Sequence, residues 1–190
     1  MKWSYQWNFP SNNFGSIFGI ADSGVETFKG TPIKSLAREI CQNSLDANDR
    51  SGRPSRVVFQ TFELAPADIP DFDGLKDALI RARLFWDVLK SDRKAKKFFD
   101  SALAVAKNTK IACLRISDYN TTGLTGAREE YNSAWCNLTK ATGASDKSGS
   151  NGGSFGIGKY APFACSAFRT VFYSTSDCEG NVAYQGISRL

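Results

Sequence analysis

The sequence predicts a two-layer α+β sandwich, a mixed sheet with helices packed on one face. Three observations carry that expectation. Short β-branched and aromatic runs recur at 55–63, 111–116, 168–174 and 181–187. Stretches with helical apolar spacing are interleaved with them. The chain has 190 residues, 42% of them hydrophobic, which is enough for one well-buried domain with an appendage.

Each element follows from local chemistry. Residues 1–30 are aromatic and Gly-rich without a period, and read as an N-terminal arm of short strand and loop. Thr31-Pro32 opens a helix, Thr as N-cap and Pro at the first helical position. Ile33, Leu36, Ala37, Ile40, Ser44 and Ala47 then recur at helical spacing, and the polar run from Asp49 to Pro54 ends the helix near Asn48. After the strand at 55–63 and a Pro/Asp loop, Leu75, Leu79, Ala82, Phe85, Trp86 and Leu89 form an inward stripe. A second helix runs to about Lys107 with Phe98, Phe99, Ala102, Leu103 and Ala106 inward. Its cations Arg93, Lys94, Lys96 and Lys97 read as a solvated face rather than a phosphate-binding patch. The strand Ile111–Ile116 ends at Ser117-Asp118, and 126–140 read as helix. Residues 142–153 are Gly- and Ser-rich loop, 154–167 a Gly-rich turn passing into a helix, and the last two strands are joined by a turn at 177–180.

Composition excludes several function classes. There is no histidine, so neither a Ser-His-Asp or Cys-His catalytic group nor a His-ligated zinc site exists within these residues. Lys plus Arg is 24 against 19 Asp plus Glu, and the resulting +5 falls short of a dedicated nucleic-acid module. The five cysteines, Cys41, Cys113, Cys136, Cys165 and Cys178, form no C-x-x-C pair. They read as small buried hydrophobes in a reducing, cytoplasmic setting. No apolar run is long enough to span a bilayer, and the first ten residues lack a signal-peptide core.

Three clusters carry chemistry. In the first, Glu39 and Asn43 lie four apart on the first long helix, Asp46 lies seven from Glu39, and Ala47 follows. An amide oxygen at Asn43 suits Mg²⁺, and a carboxylate at Glu39 can orient and deprotonate a water. A solvent-facing polar stripe has the same spacing, so this cluster alone leaves both readings open. The second is Asp118-Tyr-Asn120-Thr-Thr-Gly123 after a strand. Its carboxylate can accept a hydrogen bond from an exocyclic amine such as that of adenine, or simply close an Asx turn. The third runs from Gly152 through Gly153, Phe155, Gly156, Ile157, Gly158 and Lys159 to Ala161. It is no P-loop, because Tyr160 stands where Ser or Thr is needed, and no dinucleotide fingerprint, because no apolar strand precedes it. What remains is a Gly-rich loop feeding a helix start, whose free N–H groups suit a polyphosphate, with Lys159 adding positive charge; glycines that let two helices pack closely would leave the same pattern.

In this order the clusters resemble the GHKL (Bergerat-fold) ATPases, the superfamily of the gyrase B subunit, MutL, MORC, the Hsp-ninety chaperones and the histidine kinases. Residues 39–47, EICQNSLDA, fit the first motif, E-x-x-x-N-x-x-D-A, at every position, and SFGIGKYAPF is similar to the chaperone form of the Gly-rich motif. The resemblance covers 31–190 and implies a sheet that is mixed but mostly antiparallel. It implies Glu39 as general base, Asn43 as ligand to Mg²⁺, and Asp118 on the adenine amine. Asp46, Ala47 and Gly123 would line the nucleotide pocket. Gly153, Phe155, Gly156, Ile157, Gly158 and Lys159 would surround the phosphates. Residues 125–153 would be the ATP lid, and 73–107 a helical insertion. The second motif departs from D-x-G-x-G: Asn120 replaces its first Gly, and Gly123 sits five after Asp118. Asn tolerates the left-handed backbone that such a Gly adopts.

The function so implied is Mg²⁺-dependent ATP binding and slow hydrolysis, acting as a conformational switch. In related groups a lysine from a following domain reaches the γ-phosphate, so the chain is expected to be the N-terminal part of a longer protein. Three alternatives stay open: a non-hydrolysing nucleotide sensor, histidine-kinase-type phosphotransfer to an acceptor elsewhere, and nucleic-acid binding through 93–97. A homodimer through the N-terminal arm and a downstream domain or partner protein complete the expected partners; a membrane is not among them.

Overall fold

A computed structural model describes residues 5–10, 20–89, 93–129, 131–141 and 157–190. It is an α+β protein. The elements in order are α1 (Ser23–Glu26), α2 (Pro32–Asp46), β1 (Arg56–Leu64), α3 (Phe72–Leu89), α4 (Arg93–Val105), β2 (Ile111–Tyr119), α5 (Ala134–Thr139), α6 (Ala161–Cys165), β3 (Thr170–Ser176) and β4 (Val182–Ser188), with single 3-10 turns at Pro66–Asp68 and Gly158–Tyr160. The chain divides into two compact units. One holds Met1–Ser23, Gln60–Arg115 and Arg189–Leu190; the other holds Gly24–Phe59 and Ile116–Ser188.

The first unit is built on the α3–α4 pair. Leu75, Leu79 and Phe99 are its most deeply buried large side chains, and Ala95 and Ala102 are small enough to let the helices approach. Arg83 joins the two helices, pairing with Asp87 on its own helix and with Asp100 of α4 at 2.6 Å. The expected inward stripe holds at Leu75 and Leu79, but Phe85 is 40% exposed. The α4 cations Arg93, Lys94, Lys96 and Lys97 are all exposed, as a solvated face requires. Within this unit Lys110 meets Glu63 at 3.5 Å and Arg115 bonds Gln60, cross-strand contacts between the paired β1 and β2 whose numbers run in opposite senses. Asp22 and Arg189 pair at 2.9 Å.

In the second unit Val25, Phe28, Leu36, Tyr160, Ala161 and Phe163 form the core, and Ile40, Ile116, Val171, Tyr173 and Ile187 pack around it. Val25 and Phe28, within the stretch read as an arm, therefore belong to the core. Gly24 is required there, since a Cβ would sit 2.6 Å from the Tyr160 ring. No strand forms among the described residues of 5–30; α1 occupies that stretch instead. β3 and β4 pair antiparallel from Thr170↔Ser188 to Ser176↔Val182. Their turn is fastened by Asp177, whose carboxylate accepts the Glu179 N–H at 3.0 Å and the Asn181 N–H at 2.8 Å. Burial alone would raise this acid's pKa. The N–H and side-chain amide of Asn181, the Glu179 N–H and the Arg128 charge outweigh that and hold it below the usual carboxylate value.

Two expectations are corrected. Among the described residues the strands form two separate two-stranded pairs, β1–β2 and β3–β4, in place of one mixed sheet. β2 ends at Tyr119, Asn120 turns left-handed (φ +59°), and the chain leaves the strand direction. The segment beyond Asn120 meets the end of β3 through two isolated bonds, Cys178 N–H to Thr122 O at 2.9 Å and Leu124 N–H to Thr175 Oγ1 at 2.8 Å, and not through a ladder. The predicted helix 126–140 shrinks to α5, because Gly126 and Asn132 have φ of +73° and +56°. Ser133 caps the remaining helix, accepting the Cys136 N–H at 3.1 Å. The cysteine reading is also mixed. Cys136 is buried, and burial pushes the thiols of Cys113 and Cys165 up, but Cys41 and Cys178 are exposed.

Candidate functional site

The candidate residues that the structure describes lie on α2 and on the two segments that touch it, all within the second unit. Pro32 occupies the first turn of α2, although the Thr31 side chain caps no backbone N–H and bonds the Ser35 hydroxyl at 3.3 Å. Leu36 is 2% exposed and anchors one side of the helix; Ile33 and Leu45, both 64% exposed, do not pack. The inward face thus narrows to Leu36, Ile40 and Ser44, and it orients the polar side.

Glu39 is half-buried, Asn43 and Asp46 are exposed, and Ala47 is half-buried. The Glu39 carboxylate lies against Gly158: a Cβ there would stand 2.1 Å from Glu39 Oε2. A side chain at 158 would displace the end of the Glu39 side chain, so the Gly-rich turn and α2 meet at this carboxylate. α6, which comes directly after the turn, packs along α2. Asp46 accepts a hydrogen bond from Gln42 Nε2 at 2.9 Å, which turns it along the outer face of its own helix.

The second cluster reaches α2 at the other end. Asp118 lies inside β2 and not after it, and is exposed. Ser44, 4% exposed, directs its hydroxyl toward Asp118 Oδ2 at 3.5 Å. The backbone beyond the strand is stitched to the helix end by Thr122 N–H to Ala47 O at 2.8 Å and Asp49 N–H to Asn120 O at 3.1 Å. Asn120 takes the left-handed conformation expected of it and donates from Nδ2 to Pro54 O at 2.8 Å. Gly123 is also left-handed, and a Cβ there would stand 2.7 Å from Ser176 O, so it is a packing and turn glycine as well as a candidate pocket residue.

The third cluster is described from Ile157 onward; Gly153, Phe155, Gly156 and the lid residues 142–153 lie outside the described residues. Lys159 differs from expectation. Its ammonium donates to the Asn137 carbonyl at 3.2 Å and to the Ala141 carbonyl, so its charge sits on the C-terminal end of α5.

Two contacts were missed from sequence. Ser44 toward Asp118 had a signal, a hydroxyl at an inward helical position, but nothing to say what it faced. Lys159 on α5 had none, because the reach spans 18 to 22 residues. Among the described residues no three acidic or cysteine side chains gather in a way that could hold a metal ion. Mg²⁺ here would therefore need the oxygens of a bound phosphate beside Asn43, which is the usual habit of that ion. No described helix is long and apolar enough to cross a membrane. Comparison of the chain with protein-family models, with curated proteins and with solved structures gave no match.

Proposed function

We propose that the second unit is a GHKL-type ATP-binding module that hydrolyses ATP slowly with Mg²⁺ and works as a switch. The observation that supports it best is convergence on α2. Two segments far apart in sequence meet one helix, with Glu39 against Gly158 and Ser44 toward Asp118. In this reading Asn43 would supply an amide oxygen to Mg²⁺, and the turn at 157–159 would supply backbone amides to the phosphates. Glu39 holds and deprotonates the attacking water, and Asp118, positioned by Ser44, accepts a hydrogen bond from the adenine amine. Mg²⁺ supplies charge stabilisation at the phosphates when bound.

Two measurements test the assignment. Asn43→Ala should weaken ATP binding and abolish its dependence on Mg²⁺, read by calorimetry with and without EDTA; unchanged affinity removes Asn43 from the site. Asp118→Asn should cost about 1–3 kcal/mol of ATP binding, because the amide can no longer accept at both oxygens. It should also blunt the preference for ATP over GTP. Equal binding of the two nucleotides by the unmutated chain removes the adenine role from Asp118.

A further inference from the structure

Residues 5–9 lie in the first unit with α3, and a cleft of about 570 Å³ opens between them. Asp71 fastens its two walls. The carboxylate accepts the Trp7 N–H at 2.8 Å and the Gly74 N–H at 3.3 Å, which ties residues 5–9 to the first turn of α3. One wall is aromatic, with Tyr5, Trp7 and Phe9; the last two are stacked with centroids 5.8 Å apart and planes at 19°. Phe9 keeps 36% of its surface and Tyr5 51%, so the stacking does not use up the aromatic surface. The α3 wall carries Asp77, Ile80 and Arg81. The volume is that of a small-molecule site.

The charges decide what the cleft can take. Asp77 and Arg81 stand one turn apart on α3, a spacing at which an acid and a base can pair. Farther along the helix Arg83 and Asp87 do pair at that spacing, and Asp87, shared with Lys96 at 3.4 Å, is not part of the cleft. Asp77 and Arg81 pair neither with each other nor with another group among the described residues, and both are exposed. Asp71 already holds a backbone N–H on each oxygen. One carboxylate and one guanidinium are therefore left to a ligand, beside apolar rings. A purely cationic ligand would meet Arg81, and a purely anionic one would meet Asp71 and Asp77. A ligand that carries both charges a few ångströms apart meets neither obstacle.

We propose that this cleft binds a free α-amino acid with an apolar side chain. Its ammonium lies with Asp77. Its carboxylate lies with Arg81, whose planar fork matches two carboxylate oxygens. The side chain lies against Ile80 and the rings of Trp7 and Phe9. The nucleotide reading concerns the other unit, and this assignment does not depend on it.

The test is calorimetry and saturation-transfer NMR on the full chain, without nucleotide, with phenylalanine and leucine as probes. A ligand of this size, held at the usual efficiency per atom, should bind at about 1 mM or tighter. Phenethylamine lacks the carboxylate and hydrocinnamate lacks the ammonium, and each should bind about tenfold or more weakly than phenylalanine. Glycine, without the side chain, should also bind more weakly. Asp77→Asn should lose the preference for phenylalanine over hydrocinnamate, and Arg81→Met the preference over phenethylamine, with circular dichroism spectra unchanged. Asp73→Asn, an exposed acid of α3 outside the cleft, should behave like the parent. Failure of both phenylalanine and leucine to bind overturns the proposal. Phenethylamine binding as well as phenylalanine makes this a site for a cation alone, hydrocinnamate doing so makes it a site for an anion alone, and either result overturns it. Asp77→Asn and Arg81→Met variants that keep the parent's preferences overturn it as well.

Discussion

Replacing Glu39 with alanine should lower ATP turnover by about 10²–10⁴-fold while leaving nucleotide affinity near its starting value. A general base meets the attacking water and not the nucleotide, so its loss is felt in the transition state and hardly in the ground state. The geometry gives this substitution a second purpose. Glu39 packs against Gly158, so a carboxylate that served only to fit the turn to α2 would take the binding site with it when removed. Affinity and turnover falling together therefore identify Glu39 as a structural residue and leave the nucleotide-sensor reading standing. Glu39→Gln keeps the shape and removes the base. Full affinity with lost turnover in that variant, set beside the alanine variant, separates the two roles. Titration calorimetry and measurement of ADP release supply both quantities.

Phe99→Ala should destabilise the first unit by about 3–5 kcal/mol, the usual cost of deleting a fully buried aromatic ring. Phe99 is 0% exposed and belongs to the same buried set as Leu75 and Leu79 on α3 and Ala95 and Ala102 on its own helix. Its ring meets Phe98 edge-on, with centroids 5.0 Å apart, so the deletion also loses an aromatic contact. Alanine at Val182, 70% exposed, should change stability by less than about 0.5 kcal/mol. Urea unfolding of the three proteins gives the comparison. A small effect at Phe99 means that the helical pair is held together by something other than this core.

The helices were legible because helical burial leaves a period that one segment carries by itself. Leu36, Ile40 and Ser44 announce α2, and Phe99 and Ala102 announce α4, without knowledge of any neighbour. The strands were equally local: β3 and β4 shifted by no more than two residues, and Asp118 moved from just after a strand to just inside it. How strands associate is decided elsewhere. The left-handed Asn120 could be expected, but not that β2 would pair only with β1, and the left-handed residues Gly126 and Asn132 cut a predicted helix to six residues. For the candidate site, residue types were legible and partners were not. The spacing from Glu39 to Asn43 fixes a shared face, but the approach of Gly158 to Glu39 spans 119 positions and depends on how α6 packs on α2. Ile33 and Leu45 show the opposite failure: they fit an apolar pattern yet remain in water, because hydrophobic character alone does not require burial.

The commitment of Lys159 to the end of α5 has an electrostatic consequence for whatever anion the turn receives. Attraction by a formal charge reaches across a Debye length of about 10 Å at 0.1 M salt and weakens as ions are added. Backbone dipoles act only at contact, where few ions intervene. Lys159 keeps its formal charge and holds it against the carbonyls of Asn137 and Ala141, so at the turn at 157–159 the contact field comes from backbone dipoles and the ammonium adds a longer-range, salt-screened one. Fit would then be set by the dipoles and long-range pull by the lysine, and the slope of log nucleotide affinity against log salt concentration would report the second alone.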